Sequence, residues 1–221
     1  PRRIPGRTDS DTFFSSVESV RKYMSVQIFL CVLTKFLYVK GMRRESHSHG
    51  AYQDFVRDVG APNMLLTDNS QTQTGKKWTK TSRENITKQV QSVPHNQNQN
   101  QAERKIRDVK KRTILTLRYS SAPLSFWCYS MTFVVDCLNH TAQKELDYRT
   151  AMEKMYGNTP DISMFRFRFW ETVWYFEPTA KYPASNFYQD DLSGSHGIAA
   201  ILSLTRFGPL PTKYGRMAAN W

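Results

Sequence analysis

Three acids, Asp11, Asp68 and Glu103, form a pattern that could bind metal, with 56 residues between the first two and 34 between the last two. Carboxylates drawn together repel one another unless a cation lies between them, and hard oxygen ligands suit Mg²⁺ or Mn²⁺. Two such ions roughly 3.5–4 Å apart can activate an attacking oxygen and stabilise the leaving oxygen of a phosphodiester. Asp9 is a substitute for Asp11, because residues two apart on a strand share a face. Each acid also has a bland role. An Asp ending a strand commonly caps the next turn, and a Glu in the first turn of a helix favours the helix dipole.

The cations around these acids point to a polyanion. Glu103, Arg107 and Lys110 stand at i, i+4 and i+7 of a predicted helix, on one face, with Arg104 and Lys111 beside them. Lys76, Lys77, Lys80 and Arg83 precede them. From Lys76 to Arg112 there are eleven Lys or Arg against three Asp or Glu, a net of +8 within a chain total of +12. With a pI near 9.7, nucleic acid is the first partner to expect, bound through phosphates that give affinity and salt dependence but no sequence reading.

The remaining composition narrows the class. An apolar share of 39% and aromatic share of 13% over 221 residues support a globular core. The longest apolar run, Val26 to Val39, is interrupted by Lys35 and falls short of the roughly 20 residues a membrane span needs. No signal peptide is read at the Arg-rich start. Cys31, Cys128 and Cys137 lie in apolar stretches without a CxxC pair, as buried thiols of a reducing compartment do. No zinc ligand set is visible: His47 and His49 lack cysteine partners, and His95 reads as a loop residue near the acids.

Periodicity gives the elements on which these residues sit. Three strands in a meander are expected over 8–17, 25–34 and 35–42, then a helix carrying Tyr52, Phe55, Val56 and Val59 that stops at Gly60. A short buried strand, 63–68, ends on Asp68; a short basic helix and a strand over 87–93 come next. A helix starting at Ala102 or Glu103 buries Ala102, Ile106, Val109 and Thr113, and Pro123 opens a further, almost wholly apolar helix. The order βββαβαβαα predicts an α/β fold with a five-stranded mixed sheet covered by helices on both faces. The expected divisions are an N-terminal tail over 1–7, a catalytic core over 8–160, a β extension over 161–188 that includes an alternating strand or hairpin at 165–176, and an irregular tail over 189–221.

The stretches "DTFFSSV", "APNMLLTDNS" and "VPHNQNQNQAERKIRDVKKR" resemble the catalytic core of retroviral and retrotransposon integrases, especially the copia type. That family has an Asp on its first strand, an Asp with Asn or Gly after its fourth, and a Glu about 35 residues later in a Pro, Asn, Glu-Arg context, matched here by Pro94, Asn100, Glu103 and Arg104. The segment "LNHTA" through "GNTPDISMFRF" resembles the region C-terminal to a copia-type core, so the likeness covers roughly residues 8–188. It implies a ribonuclease H-like fold and metal-dependent polynucleotidyl transfer, in which element DNA is nicked near its 3′ end and the freed hydroxyl attacks target DNA. Asp11, Asp68 and Glu103 would hold two Mg²⁺ or Mn²⁺ ions. The implied partners are double-stranded DNA, as element ends and target, and further copies of the chain; the implied location is intracellular, in the nucleus or a virus-like particle. Ser70 stands where the family often has Gly, and no His-His-Cys-Cys zinc domain precedes the core. The sequence therefore also fits a piece of a longer polyprotein whose copy has decayed and only binds DNA. A ribonuclease H-type nuclease is the third reading; it wants a fourth carboxylate, for which Asp136 is nearest in sequence order.

Overall fold

A computed structural model describes residues 2–67, 75–91, 101–176 and 196–200, and the chain divides into two compact units, 1–162 and 163–221. In the first unit, β1 (Arg3–Phe14) is the central strand. It pairs antiparallel with β2 (Ser25–Cys31), which pairs antiparallel with β3 (Leu37–Met42). On its other side β1 pairs in parallel with β4 (Ala61–Thr67), and β4 with β5 (Lys88–Gln91). The order β3-β2-β1-β4-β5 is the expected five-stranded mixed sheet. Parallel neighbours need crossovers, which helices supply: α1 (Ser48–Asp58) leads into β4, and α2 (Lys76–Glu84) leads into β5. After β5 come α3 (Gln101–Ser120), α4 (Trp127–His140), the short pair β6 (Ala142–Gln143) and β7 (Arg149–Thr150), and α5 (Ala151–Tyr156).

Alternation along β1 sends Thr8, Ser10 and Thr12 to one face and Asp9, Asp11 and Phe13 to the other. Ser10 lies opposite Phe29 in β2, and Phe29 stacks on Phe55 of α1, their ring centroids 4.4 Å apart. Trp78 of α2 is fully buried and stacks on Tyr52 of α1 at 4.8 Å. Helices α1 and α2 thus cover the Ser10 face. Helix α3 covers the Asp9 face: the Gln101 amide meets Asp9, and the Lys110 ammonium lies over the Phe13 ring. It buries Ala102, Ile106, Val109, Thr113 and Leu117, the stripe that the 3.6-residue period predicts plus one further turn. Helix α4 lies against α3, where the Ser130 hydroxyl donates to the Thr113 carbonyl at 3.1 Å. No residue of α4 is fully exposed, as its apolar sequence requires. Its buried Asn139 exchanges two hydrogen bonds of 2.8 Å with the Leu37 backbone, pairing a donor and an acceptor at the start of β3.

Several boundaries differ from the sequence reading. The strand begins at Arg3, inside the stretch expected as a 1–7 tail, because two arginines fasten it. Arg3 donates to the carbonyls of Asn85 and Ile86 at the end of α2, at 2.5 and 3.0 Å. Arg2 donates to the Met155 carbonyl near the end of α5, with its guanidinium 4.9 Å from the Tyr156 ring centroid. Helix C-termini present unpaired carbonyls and negative partial charge, which cations satisfy. Gly60, read as a helix stop, has φ +135°, and a Cβ there would lie 2.5 Å from the Arg2 carbonyl oxygen. After Pro123 the chain first makes a 3-10 turn, Leu124–Phe126, before α4 proper.

In the second unit the alternating stretch 165–176 is only half strand. Ser163–Arg166 is a 3-10 turn, Trp170 takes φ +65°, and the Glu171 carboxylate accepts the Arg168 amide at 2.7 Å, so the extended run is just β8 (Thr172–Phe176). Its partner is β9 (His196–Ala200), paired antiparallel, within the stretch expected to be an irregular tail over 189–221. Backbone pairing, which no local period announces, made that strand.

Candidate active site and nucleic-acid interface

The acids of β1 stand in two different settings. Asp9 is fully buried. Its Oδ2 accepts the backbone amide of Gln101 at 2.9 Å and the Arg7 Nη2 at 3.1 Å, while Arg7 Nε lies 2.7 Å from Oδ1. Burial raises the Asp9 carboxyl above the ordinary Asp range, against the lowering pull of the Gln101 amide, Arg7 and Lys35. Lys35 extends the network, with its ammonium 3.3 Å from the Gln101 side-chain oxygen and 3.8 Å from a Glu145 carboxylate oxygen. Asp11 is only partly buried, and its Oδ1 accepts the amide of Thr12 at 2.7 Å.

Helix α3 brings Glu103 to the same face. Between the Asp9–Gln101 contact and the Phe13–Lys110 contact, four strand residues rise ~13 Å and nine helical residues rise ~13.5 Å. Strand and helix therefore run side by side in the same direction. Glu103 lies ~3 Å along the helix from Gln101 and Asp11 ~6.6 Å along the strand from Asp9, so both acids fall within that shared stretch. Glu103 is partly exposed, and Arg107 and Lys110 follow it along the flank of the buried stripe, exposed to solvent. The Lys110 ammonium is 4.7 Å from the Phe13 ring centroid, a cation–π distance that fixes where this charge sits.

Of the expected third acid, the structure describes only the approach. Ser10 pairs with Thr67, the last described residue of β4, and Asp68 follows it in the chain. Asp68 lies outside the described residues, as do Ser70, Pro94, His95 and Asn100. Among the described residues, no group of three His, Cys, Asp or Glu could hold a metal ion. Asp11 and Glu103 are oxygen donors of the hard kind that suits Mg²⁺ or Mn²⁺, and neither is sealed from solvent; in that respect the residues fit such an ion. His47 is an exposed surface residue beside α1. Cys31 and Cys128 are buried, and burial pushes the Cys31 thiol up to about 12 and raises that of Cys128. Neither has thiolate character to lend to a site.

The expected phosphate contacts divide between two surfaces. Arg104, Arg107, Lys110 and Lys111 are exposed on α3. Lys76, Lys77, Lys80 and Arg83 are also exposed, but on α2, across the sheet from α3. A basic stretch that is continuous in sequence is thus two patches in space. Sequence reasoning missed Arg7, Lys35 and Gln101, which surround Asp9. Only Arg7 left a local signal, by sharing a strand face with Asp9 at a spacing of two.

No protein-family model matches this sequence, and no curated protein does. Solved structures do. A structure of the HTLV-2 integrase catalytic core domain in complex with magnesium, in a trimeric form, matches with TM-score 0.56 and 13% identity, covering 68% of this chain and 95% of that one. A simian T-cell lymphotropic virus intasome in complex with the PP2A regulatory subunit B56 gamma matches with TM-score 0.57 and 12% identity, covering 76% of this chain and 62% of that one. The fold is ribonuclease H-like, that of an integrase catalytic core. Within this fold the described candidate residues lie on the strand carrying Asp9 and Asp11 and on the helix carrying Glu103. No described helix is long and apolar enough to cross a membrane.

Proposed function

We propose that the chain is an integrase-type polynucleotidyl transferase of copia-type retrotransposon origin, which nicks element DNA near its 3′ end and joins that end to target DNA. The observation that carries this reading is the parallel run of β1 and α3 from Asp9–Gln101 to Phe13–Lys110. Asp11 lies on that run of β1, and Glu103 and the exposed Arg104, Arg107 and Lys110 lie on that run of α3, which supports the reading. In the first step a water oxygen bonds to phosphorus and the 3′ oxygen leaves with a proton. In the second, that 3′ hydroxyl oxygen gives up its proton and bonds to a target phosphorus, and the target's own 3′ oxygen departs and takes up a proton. Magnesium or manganese held by Asp11, Asp68 and Glu103 would supply the activation of the attacking oxygen and the stabilisation of the leaving one.

The chain's own groups do the positioning. Asp9 binds the first amide of α3 and so sets the height of Glu103 against Asp11. Arg104, Arg107, Lys110 and Lys111 hold backbone phosphates. Because two DNA ends must be joined in concert, the working form holds at least two copies of the chain, acting in the nucleus or a virus-like particle. A copy that binds DNA without cutting it is the second reading. It is favoured by Arg7, whose guanidinium sits on the neighbouring acid of the same strand face.

The two readings part on a single substitution. Glu103→Gln is expected to abolish Mn²⁺-dependent joining of a labelled duplex end to plasmid DNA and to leave salt-sensitive DNA binding intact. Equal joining by variant and wild type would overturn the catalytic assignment; a wild type that binds but never joins would leave the binding-only reading.

A further inference from the structure

Helix α2 presents a cationic row that the site on α3 does not use. At 100° per residue, Lys76, Lys80 and Arg83 fall within an arc of about 60°, opposite the buried Trp78, Thr81 and Ser82. All three are exposed, and the one acid among them is Glu84, 3.8 Å from Lys80. The row spans ~10.5 Å, a length over which one DNA strand presents about three phosphates. Trp78 anchors the helix through Tyr52 at 4.8 Å and Phe29 at 6.4 Å, on the Ser10 face of the sheet. Helix α3 lies on the Asp9 face. The two basic surfaces therefore point away from each other across three layers, and a straight duplex lying on one cannot reach the other.

We infer that the α2 face is a second, separate binding surface for the phosphate backbone of a DNA duplex, so that one chain holds two duplex segments at once. Charge complementarity selects the occupant: Lys76, Lys80 and Arg83 line, with Thr79 and Glu84, an open hollow of about 370 Å³, and three cations around such a hollow suit a sugar-phosphate backbone and not an apolar partner. The inference rests on the DNA-binding reading above and extends it from one segment to two.

Native mass spectrometry of the full chain with a short blunt duplex counts duplexes per chain, whatever the oligomeric state. Two per chain are expected for the wild type. The triple substitution Lys76→Gln, Lys80→Gln, Arg83→Gln should hold one, as should the quadruple substitution Arg104→Ala, Arg107→Ala, Lys110→Ala, Lys111→Ala, which removes the α3 contacts. All these side chains are exposed, so circular dichroism melting of the α2 variant should match the wild type, and that of the α3 variant should fall only by what the Lys110–Phe13 ring contact contributes. The α2 substitutions should also reduce the slope of log K against log salt by about 2.7. One duplex per wild-type chain, kept by the α2 variant and lost by the α3 variant, would overturn the second surface while leaving the DNA-binding reading intact. No duplex on any of the three proteins would overturn that reading itself.

Discussion

Asp9 and Asp11 share a strand face two residues apart, yet the fold gives them different work. Asp9 is enclosed, and its carboxylate satisfies both a helix-start amide and the Arg7 guanidinium. Asp11 is partly open to solvent on the sheet face that α3 covers. The difference can be tested by isosteric and deleting changes at the same position. Asp9→Asn keeps an oxygen that can accept the Gln101 amide and should unfold at nearly the wild-type urea concentration. Asp9→Ala leaves that amide and Arg7 without their acceptor and should cost about 2–3 kcal/mol, read from the shift in the urea midpoint. Loss of equal stability in both variants would show that the ion pair, and not the helix-start bond, is what matters at this position.

At the scale of elements, α2 and α3 are amphipathic in opposite senses of use. Helix α3 buries small and aliphatic residues and leaves its charged flank beside the β1 acids. Helix α2 is short and polar, and a single aromatic, Trp78, holds it to the α1 side of the sheet. Nine residues of such composition would not hold a helix alone. Trp78→Ala should therefore cost about 3–5 kcal/mol in chemical denaturation and release the α2 surface with it. The same loss should remove one duplex per chain at temperatures where the rest of the first unit stays folded. The sequence revealed the α3 stripe because Ala102, Ile106, Val109 and Thr113 repeat at helical spacing over about three turns. It did not reveal the start of β1, since Arg2 and Arg3 are fixed by carbonyls of residues far along the chain.

For the whole molecule, the division after Ile162 has a direct consequence. The five-stranded sheet, its helices on both faces and every described candidate residue lie in the first unit. A core with aromatic stacking on one side and α3 and α4 on the other is large enough to fold unaided. A chain truncated after Ile162 should show a single cooperative thermal transition and retain salt-sensitive DNA binding through both α2 and α3. A truncated chain without a cooperative transition would mean that the second unit is needed to complete the core.

Local repetition in the chain was enough to specify three leading strands, the amphipathic α3, the apolar α4, the excess of positive charge, and Glu103 in the first turn of α3. These come from periodicities of 2 and 3.6 and from charge, each readable within a short window. Tertiary contacts alone gave β8 its partner in β9, enclosed Asp9 while leaving Asp11 partly open, and parted the basic stretch from Lys76 to Arg112 into two surfaces. Each depends on which side of the sheet a helix packs or which distant backbone supplies a hydrogen bond. Those are contacts between residues far apart in the chain, and no local pattern encodes them.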